Sequence, residues 1–406
     1  MALAEEPGVI DVVGIGADGW DGLSAEARAA VTGAEVLLGS ERQLALLPDS
    51  GAKRVPWPSP LLPQLDALLA EHAERRVCVL ASGDPLLSGI GTTLVRKLGA
   101  ERVRVLPAVS SVTLARARLC WSFEETEVIS AVGRNVHRVA RALAPGARLL
   151  VLSSDGTTPG RVADVLTARG YGASTLTVLA NLGADDESRV SGVANAWPGG
   201  DSPPLNVLAI ECRADQGTTP LSLVGGLSDD AFEHDGQLTK RDLRASALAR
   251  LAPLPGQLLW DVGAGAGSVA IEWLRAHPST RAVAFERDPD RAARITRNAE
   301  RLGVPELEVV EGSAPDVLAR DEAPDAIFVG GGVSAPDLLT TCVQRLAPGG
   351  RLVAHGVTLE SETALAAAYQ EHGGELTRIA VEHASGLGGF TGWQPARTVT
   401  QWSLAR

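Results

Sequence analysis

The sequence has no long apolar run, and its first residues do not resemble an export signal. No apolar stretch approaches the roughly 20 residues that a membrane-crossing helix needs. The opening MALAEEPG has an acidic pair where a secretory signal would be basic. We therefore expect a soluble, cytoplasmic protein without a membrane partner.

Cysteine and histidine are too scattered to suggest a disulfide framework or a metal site. None of the 4 cysteines belongs to a C-x-x-C pair. The 7 histidines show neither H-E-x-x-H nor another ligand spacing. The sequence therefore predicts no metal.

Positive charge is also in deficit. Lysine and arginine number 37 against 49 aspartates and glutamates, which gives a net charge of -12. Such a chain has no general attraction for phosphate backbones, and it lacks a basic run with interleaved aromatic residues. We expect no nucleic-acid partner, and any anionic ligand must meet a local basic group.

The sequence does contain enough apolar residues for two or three domains, in a regular alternation of strands and helices. Hydrophobic residues make up 45% of the 406. Short β-branched runs followed by amphipathic stretches predict an α/β class with parallel strands. The predicted strands include Val9–Val13, Val77–Leu80, Val103–Leu106, Val128–Ser130, Leu149–Leu152, Leu205–Ile210 and Gln257–Val262, and the predicted helices include Leu86–Lys97 and Gly160–Arg169.

The alternation stops near Glu211 and restarts at Asp242. The intervening CRADQGTTPLSLVGGLSDDAF has no period and is rich in glycine, proline, serine and aspartate, which predicts a linker. We place a domain boundary there, giving domains of residues 1–214 and 215–406. Because the halves share no internal repeat, we expect two different folds.

The second half contains a strand, a glycine turn and a helix in the run LLWDVGAGAGSVAIEWL. Gly263, Gly265 and Gly267 allow a tight turn, and the N–H groups of the following helix point at a ligand. Glu286 stands at the end of the next strand, where a carboxylate can accept hydrogen bonds from two ribose hydroxyls.

A nicotinamide-dependent reductase is the first alternative, because dinucleotide enzymes use the same architecture. Their fingerprint is G-x-G-x-x-G, but Ser268 stands where its last glycine should be. A G-x-G-x-G loop preceded by Asp261 instead resembles the methyltransferases that bind S-adenosylmethionine. The spacing therefore favours a methyl donor over a dinucleotide.

Three more segments narrow this resemblance: Leu238-Thr239-Lys240, Gly312-Ser313-Ala314-Pro315 and PDAIFVGGG. The C-terminal run from LTRIAVEHA to ARTVTQWSLAR has the pattern of a hairpin. Together they make the second half similar to the decarboxylating methyltransferase module of corrin biosynthesis, with a Rossmann-like class I fold. For Thr239 a helix cap is the alternative. The resemblance implies cofactor contacts at Thr239, Gly263, Ala264, Gly265, Ala266, Gly267, Glu286 and Ala314.

The first half resembles the precorrin branch of the tetrapyrrole methylases. The segments that carry the resemblance are DVVGIGADGW, Ser82-Gly83-Asp84-Pro85, PAVSSVTLARARL, SAVGRNVHR, NLGADDESRVSG and LNVLAIE. That family binds S-adenosylmethionine in a cleft between two α/β lobes. An ordinary turn is the alternative for Gly83-Asp84-Pro85. The resemblance implies cofactor contacts at Gly14, Gly16, Gly83, Asp84, Ser110 and Ser111.

The pairing of these modules resembles bifunctional enzymes of cobalamin biosynthesis. It implies two S-adenosylmethionine sites per chain, methylation of a precorrin at carbons 5 and 15, and decarboxylation of the acetate on carbon 12. By family, the first half methylates carbon 5. One catalytic half fused to an inert scaffold is the remaining alternative. We also expect a homo-oligomer.

A tetrapyrrole carries several carboxylates, so we expect arginines or lysines to bind it. Arg134, Arg138 and Arg141 have the i, i+4, i+7 spacing of one helix face. Lys240 and Arg244 are the candidates in the second half. Among the histidines, His355 is the candidate for a proton-transfer role, because it stands at the end of a predicted strand, where open α/β sheets bind ligands.

Overall fold

The computed structural model describes residues 8–406, which fold into two compact units. The first comprises the described residues up to Val136 together with Ala144–Thr218, and the second comprises His137–Leu143 and Thr219–Arg406. Both units are α/β, as predicted. Within the described part of the chain, no helix combines the length and apolar character required to cross a membrane.

The first unit contains ten strands and six α-helices. The strands are β1 (Ile10–Ile15), β2 (Val36–Gly39), β3 (Lys53–Pro56), β4 (Val77–Ser82), β5 (Val103–Leu106), β6 (Thr126–Ser130), β7 (Arg148–Leu152), β8 (Thr175–Ala180), β9 (Ser188–Val193) and β10 (Asn206–Glu211). The helices are α1 (Ala25–Gly33), α2 (Glu41–Ala45), α3 (Leu65–Glu71), α4 (Ile90–Leu98), α5 (Ser111–Leu119) and α6 (Thr158–Ala168).

Two five-stranded sheets give the first unit its two lobes. One has the order β3-β2-β4-β1-β5 and is parallel throughout. The other has the order β6-β7-β10-β8-β9 and is mixed. Because parallel strands end at the same edge of a sheet, the loops after β1, β4 and β5 lie side by side.

The second unit contains nine strands and five α-helices. The strands are β11 (Leu258–Val262), β12 (Arg281–Glu286), β13 (Glu308–Glu311), β14 (Ala326–Val329), β15 (Arg351–Gly356), β16 (Glu375–Ile379), β17 (Glu382–Leu387), β18 (Phe390–Pro395) and β19 (Val399–Ala405). The helices are α7 (Arg241–Leu251), α8 (Ser268–Ala276), α9 (Pro289–Arg301), α10 (Leu338–Arg345) and α11 (Leu359–His372).

The main sheet of the second unit has the order β13-β12-β11-β14-β15-β19-β16. From β11 the chain proceeds outward first on one side and then on the other, so the carboxyl ends of β11 and β14 flank a topological switch point, where open α/β sheets bind ligands. The predicted C-terminal hairpin is present as the antiparallel pair β16–β19, with a second hairpin, β17–β18, between its strands. Apolar side chains cover both faces of the sheet, Trp260 and Trp402 among them.

The prediction of a linker is wrong for the C-terminal part of that segment, which is folded into the second unit. Leu227 and Phe232 are buried in the core of the second unit. The N–H groups of Gly226 and Leu227 donate to the carboxylate of Glu272. A side-chain acceptor, rather than a backbone ladder, therefore satisfies these two donors.

Candidate functional sites

Three glycines turn the chain between β11 and α8. Gly263, Gly265 and Gly267 have φ angles of +69°, +60° and +74°, a region that glycine adopts without steric cost. A Cβ atom on any of them would approach a neighbouring atom to 2.9 Å or less. Both the backbone conformation and the available space therefore require glycine at all three positions.

The glycine loop is fixed by hydrogen bonds within the protein. The N–H groups of Gly263 and Ala264 donate to the Phe285 carbonyl at 3.0 and 3.1 Å. Ala266 is fully buried, and its carbonyl accepts a hydrogen bond from Asn298 Nδ2 at 3.0 Å. A ligand would therefore meet a preformed loop, which lowers the ordering cost of binding.

Glu286 ends β12 and lies against the glycine loop. Its Oε2 accepts from the Gly265 N–H at 2.8 Å, and its Oε1 accepts from the Asp288 N–H at 3.1 Å. A carboxylate offers about four acceptor positions. Two positions therefore remain for other donors, which fits a pair of ribose hydroxyls.

Asp261 lies directly below the glycine loop and is almost fully buried. Burial raises its pKa to about 7, the nearby Glu286 charge acts in the same direction, and the N–H of Ala270 opposes both. That N–H donates to Asp261 Oδ2 at 3.0 Å. Asp261 thus ties the first turn of α8 to the end of β11.

The segment before α7, residues 233–240, covers the glycine loop, and we call it the strap. A Cβ on Gly265 would lie 2.8 Å from the Gln237 carbonyl oxygen of the strap. Asn298 of α9 joins strap and loop, because its amide pairs with the N–H and carbonyl of Glu233 at 2.8 and 2.9 Å and also donates to Ala266. Asn298 is 1% exposed, so these bonds do not compete with water.

Charged pairs hold the strap on α9 as well. Glu233 accepts from Arg297 Nε at 3.0 Å, and Asp235 accepts from Arg291 Nε at 2.9 Å. Hydrogen bonds from the Gln237 N–H and from Arg291 and Arg294 keep the pKa of Asp235 well below its usual range. The strap carries the predicted Thr239 on its C-terminal side.

The alternative reading of Thr239 as a helix cap is wrong. The cap residue of α7 is Lys240, which makes no side-chain capping bond. The Thr239 carbonyl accepts a hydrogen bond from Arg244.

The remaining predicted segments of the second half meet at the same edge. The Gly312 N–H donates to the Glu286 carbonyl at 3.0 Å, and Ala314 packs against the core beneath. Gly331, in the turn after β14, lies against Gly263. The fold therefore brings strap, glycine loop, Glu286 and the G-x-A-P segment together.

The expected role of Arg244 in substrate binding is wrong. Its side chain is fully buried and donates to Glu272 at 2.6 Å and to Asp229 at 3.3 Å. It also donates to the carbonyls of Thr239 and Leu227 and stacks on a phenylalanine ring. All three guanidinium nitrogens are thus bonded within the protein. Lys240 remains accessible, 3.4 Å from Asp229 and 55% exposed.

The predicted helix with Arg134, Arg138 and Arg141 on one face is also wrong. Val136–Ala142 forms a 3-10 helix, and Arg134 precedes it. With about three residues per turn, an i, i+4, i+7 spacing no longer marks one face. Arg134 is exposed, whereas Arg138 lies 3.6 Å from the Glu306 carboxylate.

His355 lies near the carboxyl end of β15, buried beside Phe328. Its Nε2 is 2.9 Å from Gln401 Oε1, and in the tautomer that carries the proton on Nε2 the ring donates to this amide oxygen and leaves Nδ1 as the acceptor. Burial lowers the pKa of His355, a direction reinforced by Arg250 and opposed by Gln401. The folded protein therefore holds this ring neutral at neutral pH.

The lowered pKa of His355 predicts a loss of stability in acid. The unfolded chain binds this proton near pH 6.5 and the folded chain does so only at lower pH, so His355 destabilises the fold increasingly as the pH falls below about 6.5. Each unit by which the pKa is lowered costs about 1.4 kcal/mol of unfolding free energy once both states are protonated.

We expect His355→Gln to lose less unfolding free energy than the wild type between about pH 7.5 and 5.5 in urea titrations. Equal losses in the two proteins would contradict this prediction. Asp261, whose raised pKa makes its effect on stability opposite in sign, is present in both proteins, so its contribution cancels in the comparison.

In the first unit the loops after β4 and β5 meet β1 at Gly14. A Cβ there would lie 1.9 Å from the Gly83 carbonyl oxygen and 2.6 Å from the Ala108 nitrogen. The Gly83 N–H donates to the Ile15 carbonyl at 3.0 Å, and the Ala108 N–H donates to the Gly83 carbonyl at 3.2 Å. Gly14 therefore permits the loops after β4 and β5 to pack directly on the end of β1 and on one another.

Beside this crossing a cleft opens between the two lobes of the first unit. It has about 510 Å³ of empty space, part of which is open to solvent. Gly16, Gly83 and Ser111 line it, together with Leu179 and Val207 of the second lobe. The structure therefore brings three of the six predicted residues to one cleft.

Gly14, Asp84 and Ser110 are not among the lining residues. Asp84 Oδ1 accepts from the Leu86 N–H at 2.9 Å, which closes an Asx turn. Ser110 caps α5 by accepting from the Thr113 N–H at 3.1 Å. These two polar side chains shape the loops that carry Gly83 and Ser111.

Sequence reasoning missed Asn298 and Arg42. Asn298 lies inside an otherwise regular amphipathic helix, and its burial opposite the strap is visible in the structure but not in the sequence. Arg42 lines the first cleft and follows the Ser40 cap of α2. The available sequence signal was Ser40 after the short run VLLG, because a serine there predicts the start of the helix that carries Arg42.

Both halves of the chain match known families. Residues 9–196 match the model described as Tetrapyrrole (Corrin/Porphyrin) Methylases, and residues 230–406 match the Precorrin methyltransferase domain.

A protein of Mycobacterium tuberculosis named Precorrin-6Y C(5,15)-methyltransferase (decarboxylating) is 48% identical over 402 residues, covering 98% of this chain and 100% of that protein. A protein of the same name from Sinorhizobium sp is 45% identical, covering 99% of this chain and 98% of its own length. The solved C-terminal domain of precorrin-6Y C5,15-methyltransferase from Rhodobacter capsulatus is 45% identical and covers 46% of this chain and 100% of its own, with a TM-score of 0.44.

Proposed function

The chain belongs to the decarboxylating precorrin-6Y C(5,15)-methyltransferases, and from this premise we propose a division of the reaction between its two halves. Residues 1–214 methylate carbon 5, and residues 215–406 methylate carbon 15 and remove the carboxylate of the acetate on carbon 12. The product is precorrin-8X. The observation that carries the proposal is that similarity to bifunctional relatives extends over 98% of the chain.

Two S-adenosylmethionine sites per chain are part of the proposal. In the second unit, the free acceptor positions of Glu286 and the preformed glycine loop fit a nucleoside with two ribose hydroxyls. In the first unit, Gly16, Gly83 and Ser111 line the cleft with little side-chain bulk. The relatives' names and the G-x-G-x-G spacing favour a methyl donor over the nicotinamide alternative.

S-adenosylmethionine supplies an electrophilic methyl group, and the reduced tetrapyrrole supplies a carbon nucleophile. What the protein contributes is mainly alignment, because methyl transfer needs donor carbon, sulfur and ring carbon nearly in line. The hydrogen bonds of Asn298 and the strap fix the glycine loop in advance. His355, a buried ring whose pKa is lowered and whose Nε2 lies against Gln401, is the proposed site for the proton that the ring carbon releases after methylation.

Substrate binding by Arg134, Arg138 and Lys240 remains part of the proposal, without Arg244. Arg134 and Lys240 are exposed, and Arg138 is free to exchange its 3.6 Å contact with Glu306 for a bound carboxylate. We expect no nucleic-acid partner, because the net charge of -12 repels a phosphate backbone.

The homo-oligomer is also a proposal, and the β17–β18 hairpin supports it. Leu387, Phe390 and Trp393 are 69%, 82% and 73% exposed on this two-stranded sheet. An isolated two-stranded hairpin is marginally stable in water. A second copy of the chain would cover its apolar side chains and stabilise it.

Mass spectrometry of the tetrapyrrole product tests the proposed function. The expected product of the full chain with precorrin-6Y and S-adenosylmethionine has gained two methyl groups and lost one carbon dioxide. A product with one methyl and the carboxylate retained would reject the reading in which both halves are active, and it would favour the scaffold alternative. An NADH-dependent reduction would favour the reductase.

A further inference from the structure

The cleft of the first unit has one charged residue among the described residues that line it, and that residue is Arg42. Leucine and valine side chains make up much of the remaining lining. A ligand in this cleft therefore meets apolar surface for most of its area and one positive charge at a defined position.

One hydrogen bond holds Arg42 at the cleft. Its Nη2 donates to Ser82 Oγ at 3.0 Å, and Gln43 Nε2 donates to the same oxygen at 3.1 Å. Ser82 ends β4, directly before Gly83 of the loop crossing. The guanidinium group is thereby oriented, while the rest of its five N–H donors have no described protein acceptor.

Arg42 differs in this from two arginines of the first unit that are paired with carboxylates, Arg104 and Arg118. Arg104 pairs with Asp11 at 2.6 Å and Arg118 pairs with Glu187 at 2.6 Å, whereas no described carboxylate pairs with Arg42. Arg42 is exposed at the cleft, yet neighbouring protein atoms still desolvate its guanidinium group and lower its pKa. A bound anion would compensate this cost.

We propose that Arg42 binds a carboxylate of the ligand held in this cleft, through the two parallel hydrogen bonds that a guanidinium group makes with a carboxylate. The inference rests on the proposed function, which supplies two molecules with carboxylates: the tetrapyrrole with its acetate and propionate side chains, and S-adenosylmethionine with its amino-acid end. Carboxylate recognition is the chemistry that the two sources share.

Steady-state kinetics of carbon-5 methylation in the full chain tests Arg42. Arg42→Met is expected to raise the KM for one carboxylate-bearing ligand by about 10- to 100-fold. A rise in the KM for precorrin-6Y identifies the substrate as the source, and a rise in the KM for S-adenosylmethionine identifies the donor. Arg42→Lys, which keeps the charge and loses the paired geometry, is expected to give an intermediate KM for the same ligand.

Arg96→Met is the matched control, because Arg96 is exposed on α4 and does not line the cleft. It is expected to leave both KM values unchanged, and circular dichroism verifies that all variants fold. Unchanged KM values for both ligands in Arg42→Met would overturn the proposal. Absence of carbon-5 methylation in the wild type would instead reject the proposed function, so the two failures are distinguishable.

Discussion

Replacing Glu272 by alanine is expected to lower the unfolding free energy of the second unit by about 3–5 kcal/mol. Glu272 is 3% exposed and pairs with Arg244, which is fully buried. It also accepts the N–H groups of Gly226 and Leu227. Alanine would leave a buried positive charge and two buried backbone donors without these partners. Urea denaturation of the full chain measures the loss, and hydrogen exchange of the α8 amides assigns it to the second unit.

Glu322→Ala is the matched control, since it breaks another arginine–glutamate pair in the same unit. Arg281 and Glu322 lie 2.6 Å apart but are 52% and 57% exposed. Solvent screening limits such a pair to less than about 1 kcal/mol. Equal losses for Glu272→Ala and Glu322→Ala would show that burial of the Glu272 pair does not matter.

On the proposed function, Glu286→Gln is expected to reduce the number of high-affinity S-adenosylmethionine sites from the proposed two to one per chain. The neutral amide removes the charge from hydrogen bonds to the ribose hydroxyls, and it offers a donor where the Gly265 N–H already donates. We expect the donor to bind the second unit about 10- to 100-fold more weakly. Carbon-15 methylation and decarboxylation should fall accordingly, and carbon-5 methylation should persist.

Titration calorimetry gives the number of sites, and product mass spectrometry gives the activities. Glu308→Gln is the control, because Glu308 is an exposed glutamate at the start of the neighbouring strand, paired with Arg320. It should leave two sites. Two unchanged sites in Glu286→Gln would contradict the assignment of Glu286, and loss of carbon-5 methylation would contradict the independence of the two halves.

The local parts of both sites could be predicted from the sequence. The positive φ angles at Gly263, Gly265 and Gly267 follow from a residue type that tolerates them. The carboxylate of Glu286 follows from its place at the end of a strand next to the loop. Each of these predictions needs only the residue type and the order of strand, turn and helix.

Predictions about charged side chains were less reliable. Arg244 stands on the first turns of α7, where the sequence alone suggests a surface group, but the fold places Glu272, 28 residues away in the chain, against it. The three arginines spaced for an α-helix lie in and before a 3-10 helix. Thr239 has the residue type of a cap, yet the cap position of α7 is occupied by the next residue, Lys240.

The sequence by itself determined the α/β class, the two unlike halves and the glycine loops that we propose to bind a nucleoside, because these depend on short-range periodicity and on glycine. Only the tertiary structure decided which cations are available to a ligand. Whether an arginine is buried against a carboxylate, like Arg244, or lies unpaired on a cleft wall, like Arg42, depends on contacts between segments far apart in the chain. No local pattern encodes those contacts.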